Sequence, residues 1–208
     1  MPGAEQKGYQ PASWDFSRDG KAWQQVAVPH DWAISGPFDK KWDLQMVAIE
    51  QNGETEKTEK SGRSGALPWI GEGMYKMNWT APKGYKRAVL VFDGAMSQPV
   101  VSVNGKEAGK WAYGYNAFRI DITPFIQFGK SNLIEVHLNN VEESSRWYPG
   151  GGLYRPVSVE LYGNENFSTW DTFVRTLKVD KQEAEVEVNA LLEGKTGKSG
   201  KDRHSPVG

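Results

Sequence analysis

The sequence predicts an all-β protein, a jelly-roll β-sandwich followed by the opening strands of a second β domain. Three observations carry that expectation. Apolar and polar residues alternate with a period of two in many short runs, which places successive side chains on opposite faces of a sheet. Glycine is frequent, at 23 of 208 residues, and it falls between those runs, where turns belong. Helical periodicity is nearly absent. Many short strands with regular turns suit a sandwich.

Taken along the chain, the first strand is expected at 24–28, ending in Val28-Pro29-His30-Asp31-Trp32. Residues 48–65 are charged and glycine-bearing with almost no apolar anchor, so a long mobile surface loop is expected there. A strand follows at 73–80. Ala88 to Phe92 is apolar throughout and reads as a central strand buried on both faces. Asn104-Gly105 lies between Val101-Ser102-Val103 and Lys106-Glu107-Ala108. That dipeptide marks a type I′ hairpin, whose central residues both need positive φ. Strands are expected at 108–113 and 117–121, and Thr123 to Gln127 as one helical turn with Thr123 as its cap.

Leu133 to Leu138 alternates, with Ile134, Val136 and Leu138 on one face and Glu135 and His137 on the other. Pro156 to Leu161 repeats the pattern through Val157, Val159 and Leu161. Gly163-Asn164-Glu165-Asn166 reads as a short linker. Two further strands, Phe173 to Val179 and Ala184 to Leu192, then open a second domain that two strands alone cannot stabilise. The expected division is therefore 1–163 and 164–208, with no structure assigned to the tail.

Composition excludes several functions. With no cysteine, disulfides, thiolate zinc sites and cysteine nucleophiles are ruled out. Net charge is -1 and the charges are dispersed, which argues against a nucleic-acid partner. No apolar run approaches the roughly 20 residues that span a bilayer, and the start lacks a signal-peptide pattern. A soluble protein is expected. The compartment stays open, and a periplasmic or secreted parent fits a cysteine-free chain as well as any other.

Catalytic candidates are few. Retaining glycoside hydrolysis needs two carboxylates about 5–5.5 Å apart in a pocket that tunes their pKa values. The sole Asn-Glu pair, Asn164-Glu165, falls in the linker and offers no such pocket. His30, His137 and His204 show no metal-ligand spacing, and no Gly-x-Ser-x-Gly elbow or dinucleotide motif occurs. No catalytic residue, metal or cofactor is expected in this chain.

Binding candidates are better. Ser144 to Arg155 reads SSRWYPGGGLYR: three glycines allow tight backbone bends while Arg146, Trp147 and Tyr148 stand beside them. Arg offers a planar fork of donors, and Trp or Tyr a flat face with a polar edge, a kit for the hydroxyls and C–H face of a pyranose. For Arg146 and Trp147, sugar contact and core packing are equal alternatives. Tyr154 and Arg155 read as packing and turn-anchoring residues.

These segments resemble the amino-terminal sugar-binding domain of family 2 glycoside hydrolases, the β-galactosidase and β-glucuronidase group. The matching pieces occur in order: VAVPHDW at 26–32, GMYK at 73–76, FDG at 92–94 and VSVNG at 101–105. GYNAFRIDIT at 114–123, NLIEV at 132–136 and RWYPGGGLYR at 146–155 complete the set. The resemblance implies a galactose-binding-like jelly roll that packs on a (β/α)8 barrel and lends loops to the rim of its active site. Both catalytic glutamates would lie on that barrel, outside this chain.

It further implies substrate contact by the segment around Arg146 and by a second loop at 67–72, which adds Trp69 and Glu72. Tyr75, Asn104, Asp121 and Arg155 correspond to framework residues. Residues from about 167 onward resemble the start of the family's immunoglobulin-like domain. The expected partners are carbohydrate, bound weakly and β-galactoside-like, the barrel of the parent chain, and a second copy in a homo-oligomer. An autonomous carbohydrate-binding module and a purely structural packing domain are the alternatives.

Overall fold

The computed structural model describes residues 6–9, 11, 13–42, 44–47, 52–56, 58–61, 67–141 and 149–194. The strands are β1 (Gln6–Tyr9), β2 (Trp14–Ser17), β3 (Gln24–Val26), β4 (Leu44–Val47), β5 (Thr58–Ser61), β6 (Glu72–Thr80) and β7 (Arg87–Phe92). They continue as β8 (Val100–Val103), β9 (Lys106–Lys110), β10 (Phe118–Asp121), β11 (Ser131–Asn139), β12 (Val157–Tyr162), β13 (Asn166–Val179) and β14 (Ala184–Glu193).

Two antiparallel sheets face each other, ordered β1-β12-β7-β10 and β3-β2-β6-β11-β8-β9. The chain changes layer between β7 and β8, returns between β9 and β10, and crosses twice more before β12, as in a jelly roll. Alternation decides what lies between the layers. One sheet contributes Ala88, Leu90, Phe92, Ile120, Val157, Val159 and Leu161; the other contributes Trp14, Phe16, Tyr75, Met77, Trp79, Ile134, Val136 and Leu138. Each of the Val, Leu, Ile, Phe and Met side chains among them, once fully withdrawn from water, contributes roughly 1.5–3 kcal/mol.

The Asn104-Gly105 turn forms as expected, with φ of 52° and 76°, and joins β8 to β9. Asn104 also gives its side chain to the framework. Its Nδ2 donates to Phe125 O at 2.9 Å and to Asn132 Oδ1 at 2.9 Å, while its Oδ1 accepts from Leu133 N at 3.0 Å. Asn132, buried, thereby ties the turn to the 127–130 loop.

Several expectations need correction. Residues 48–65 are not all loop: β5 pairs with β4 in register, Val47 opposite Thr58 and Leu44 opposite Ser61. Its signal is hidden because Thr58-Glu59-Lys60-Ser61 has no apolar residue. Thr123 does not cap a helix. Its hydroxyl accepts from Ala88 N at 3.0 Å and donates to Ala88 O at 3.3 Å, clasping the edge of β7, and 123–125 is a turn. The strand expected at 108–113 is β9, which ends at Lys110, since Trp111 to Tyr113 swing out to the surface. Val91 of β7 is only half buried, because that sheet carries polar groups on its outer face. The expected linker is shorter, since Asn166 is already in β13, buried and bonded through Nδ2 to Glu193 at 3.2 Å.

Candidate functional site

One end of the sandwich gathers the loops that the sequence singles out. After β3 the chain runs through Pro29 into His30-Asp31-Trp32, and this stretch lies against the glycine run. His30 N donates to Leu153 O at 2.8 Å and Trp32 N to Gly151 O at 3.0 Å. The Asp31 carboxylate accepts from Ala33 N at 2.8 Å and Gly151 N at 3.1 Å through the same Oδ1. Asp31 is thus a staple between two loops, a use the sequence did not reveal.

The glycines are required here by closeness. A Cβ on Gly151 would come within 2.1 Å of Trp32 Nε1, and one on Gly152 within 2.4 Å of the Tyr75 hydroxyl. Trp32 is completely buried, and its Nε1 has no hydrogen-bond partner among the described residues. On the far side Gly152 exchanges two backbone bonds with Met96, at 3.0 and 2.9 Å.

Beneath the loops, the Tyr75 hydroxyl lies 2.7 Å from His30 Nδ1. Burial pushes the Tyr75 phenol well above its ordinary range, so it stays protonated and is a donor. Burial also lowers the His30 pKa, against the pull of Asp31 and with the help of Arg18. A neutral His30 can accept the Tyr75 proton at Nδ1. The pair is a plug that supports the loop, and the Tyr75 hydroxyl also lies 3.4 Å from the His30 carbonyl.

The second predicted loop adjoins the first. Trp69 lies 5.5 Å from Trp32, centroid to centroid, and carries the Arg18 guanidinium 5.2 Å above its ring. Arg18 also donates to Trp32 O at 3.4 Å and to Gly36 O. Gly71 O accepts from Asn140 N at 2.9 Å, and Asn140 Nδ2 donates to Gly150 O at 3.0 Å. Glu72 points elsewhere: it lies on the outer face of the six-stranded sheet, its carboxylate 3.2 Å from His137 Nε2. Arg146, Trp147 and Tyr148 lie outside the described residues, as does His204. Their anchors are described, because Asn140 before them and Gly150 after them are bonded to each other.

The framework residues act as expected. The Tyr154 hydroxyl donates to Gly114 O at 2.9 Å, and Arg155 Nη1 donates to Tyr115 O at 3.1 Å and Asp93 O at 3.3 Å. Asp121 pairs with Arg87 at 2.9 Å. Glu165 sits beside Gly194, beyond the end of β12 that is remote from the glycine run. Among the described residues, no three His, Asp or Glu side chains are grouped so as to hold a metal ion.

Comparison with known proteins agrees with this architecture. No family model matches the chain. A β-galactosidase of Bacteroides ovatus is 32% identical over 173 residues, which are 82% of this chain and 18% of that protein. A β-glucuronidase of Formosa agariphila is 24% identical over 202 residues, 86% of this chain and 19% of that protein. Among solved structures, a glycosyl hydrolase family 2 member from Bacteroides cellulosilyticus superimposes with a TM-score of 0.70 at 28% identity, covering 89% of this chain and 24% of that one. The chain therefore spans about a fifth of the length of the curated relatives it matches.

Proposed function

Since the chain belongs to the family 2 glycoside hydrolases, we propose that it is their non-catalytic sugar-contacting domain, and that it lends loops to an active site of β-galactosidase type carried by a barrel elsewhere in the protein. The observation that carries the reading is the bonded pair Asn140 and Gly150. They bring together the two ends of the segment bearing Arg146, Trp147 and Tyr148, beside Trp69. The His30-Asp31-Trp32 staple then holds that junction against the core. A site built this way meets the demand that contact residues be supported by a rigid shell.

In this reading Arg146, Trp147, Tyr148 and Trp69 meet the sugar, and the bond-breaking carboxylates come from the barrel. Glu72 takes part only if it leaves His137. Residues from 164 onward open an immunoglobulin-like domain: β13 and β14 expose Val174, Val186 and Val188, a face that needs a second layer.

Titration of the chain with lactose, followed by 1H–15N correlation spectra, tests the reading. The Trp147 indole and the amides flanking 142–148 should shift saturably, with a Kd on the order of 10 mM because few contacts offset the ordering cost. The R146A variant should lose that response. The chain alone should leave aryl β-galactosides and β-glucuronides uncleaved, and hydrolysis proportional to its concentration would overturn the non-catalytic assignment.

A further inference from the structure

We propose a second carbohydrate-binding site, distinct from the Arg146 loop, in the groove lined by Gln98, Val100, Lys110, Trp111, Ala112 and Tyr113, and a pyranose ring as its occupant. The groove is open to solvent and offers about 530 Å³, within the roughly 300–1,000 Å³ usual for small-ligand sites. Six residues are too few for a stable protein interface, which needs roughly 800 Å² from each partner. The size selects a small ligand.

Its floor is a prepared aromatic plane. Phe92, buried in the core, stacks on Phe118 at 4.6 Å and 5°, and Phe118 stacks on Trp111 at 5.5 Å and 7°. Three parallel rings thus run from the core to the surface. The last is turned out of β9 and left 39% exposed. The indole cannot rotate freely, because its Nε1 donates to Asn116 Oδ1 at 2.9 Å and its backbone N donates to Pro99 O at 3.0 Å. Tyr113, 59% exposed, is braced by Tyr115 at 5.5 Å. A flat, immobilised aromatic face is what the C–H face of a pyranose packs against, and pre-organisation removes the ordering cost that weakens binding to flexible sites.

The rim supplies the polar part. Gln98 is exposed at the rim, its backbone at φ 49°, and brings a side-chain amide to the groove. Lys110 contributes an exposed ammonium. An amide and an ammonium beside an indole offer both donors and an acceptor to ring hydroxyls.

The groove also has a fixed relation to the glycine run. Met96, two residues before Gln98, pairs with Gly152, and Tyr154 and Arg155 bond the carbonyls of Gly114 and Tyr115. The groove proposal stands without the Arg146 reading.

The test is a spectral titration with lactose and with β-1,4-galactotriose, in the native chain and in W111A, Y113A and R146A. Saturable shifts are expected at the Trp111 indole and at the amides of 98–100 and 110–113. Both W111A and Y113A should weaken the response at the remaining groove amides at least fivefold, and R146A should leave it unchanged. If W111A does not fold, Y113A alone decides, since that side chain is largely outside the core. No saturable shift in the groove at 100 mM of either sugar overturns the proposal, as does a response confined to residues 67–72 and 139–152. The latter would leave the Arg146 reading intact.

Discussion

β6 and β14 carry equally regular alternation, yet one is a core strand and the other is almost wholly exposed. Tyr75, Met77 and Trp79 of β6 are buried because β7 and β12 lie across from them in the opposite sheet. Among the described residues Val186 and Val188 of β14 face no such layer and stay 52% and 61% exposed. The β13–β14 ribbon is held instead by its own backbone ladder, by cross-strand pairs such as Arg175–Glu187, and by Arg87, which reaches from β7 to Glu193 at 3.2 Å. Alternation states which face a strand would bury. A second layer decides whether it is buried.

The contrast can be broken most severely at Trp32. Truncation to alanine empties a fully buried site under the glycine run and should cost about 3–5 kcal/mol, read from urea unfolding of the whole chain. A loss under 1 kcal/mol would mean that the sandwich does not depend on the buried Trp32 ring.

A smaller effect is expected from pH. The His30 pKa lies below its ordinary 6.5 in the folded state, so below that pH the unfolded chain takes up a proton that the folded chain refuses. Stability is therefore present above pH 6.5 and falls as pH drops toward the folded value. Asp121 is also depressed, from 3.8, but acts in a lower window. Unfolding free energies measured between pH 7 and 5.5 should decline in the native protein and stay flat in H30Q. Equal slopes would show that another group is responsible.

The smallest effect sharpens the other side of the comparison. V188A in the ribbon should change stability by less than about 0.5 kcal/mol, as at other exposed positions. If instead it costs as much as a core substitution, the ribbon is packed against something in solution.

Much of the fold was legible because alternation and turn chemistry are local. The Asn104-Gly105 hairpin and the faces of β11 and β12 follow from the sequence alone. β5 was not legible, since Thr58 to Ser61 has no apolar residue to show a face. At the site, the glycine run and the HDW segment stood out as composition, but their mutual bonding did not. Asp31 showed in the sequence only as one of a polar pair before Trp32, and its bond to the Gly151 amide, 120 residues away, shows it committed to the backbone. Trp111 resembled any strand tryptophan, because the ring stack that immobilises it is a tertiary fact.

Asn140 and Gly150 meet across a single hydrogen bond at the mouth of the segment they flank. Closing a loop at its throat means that the entropy of joining its ends is met by the scaffold, whatever residues run between, and lengthening it further is cheap. The sandwich can therefore keep its stability while the sequence between those two residues is rewritten, without refounding the fold.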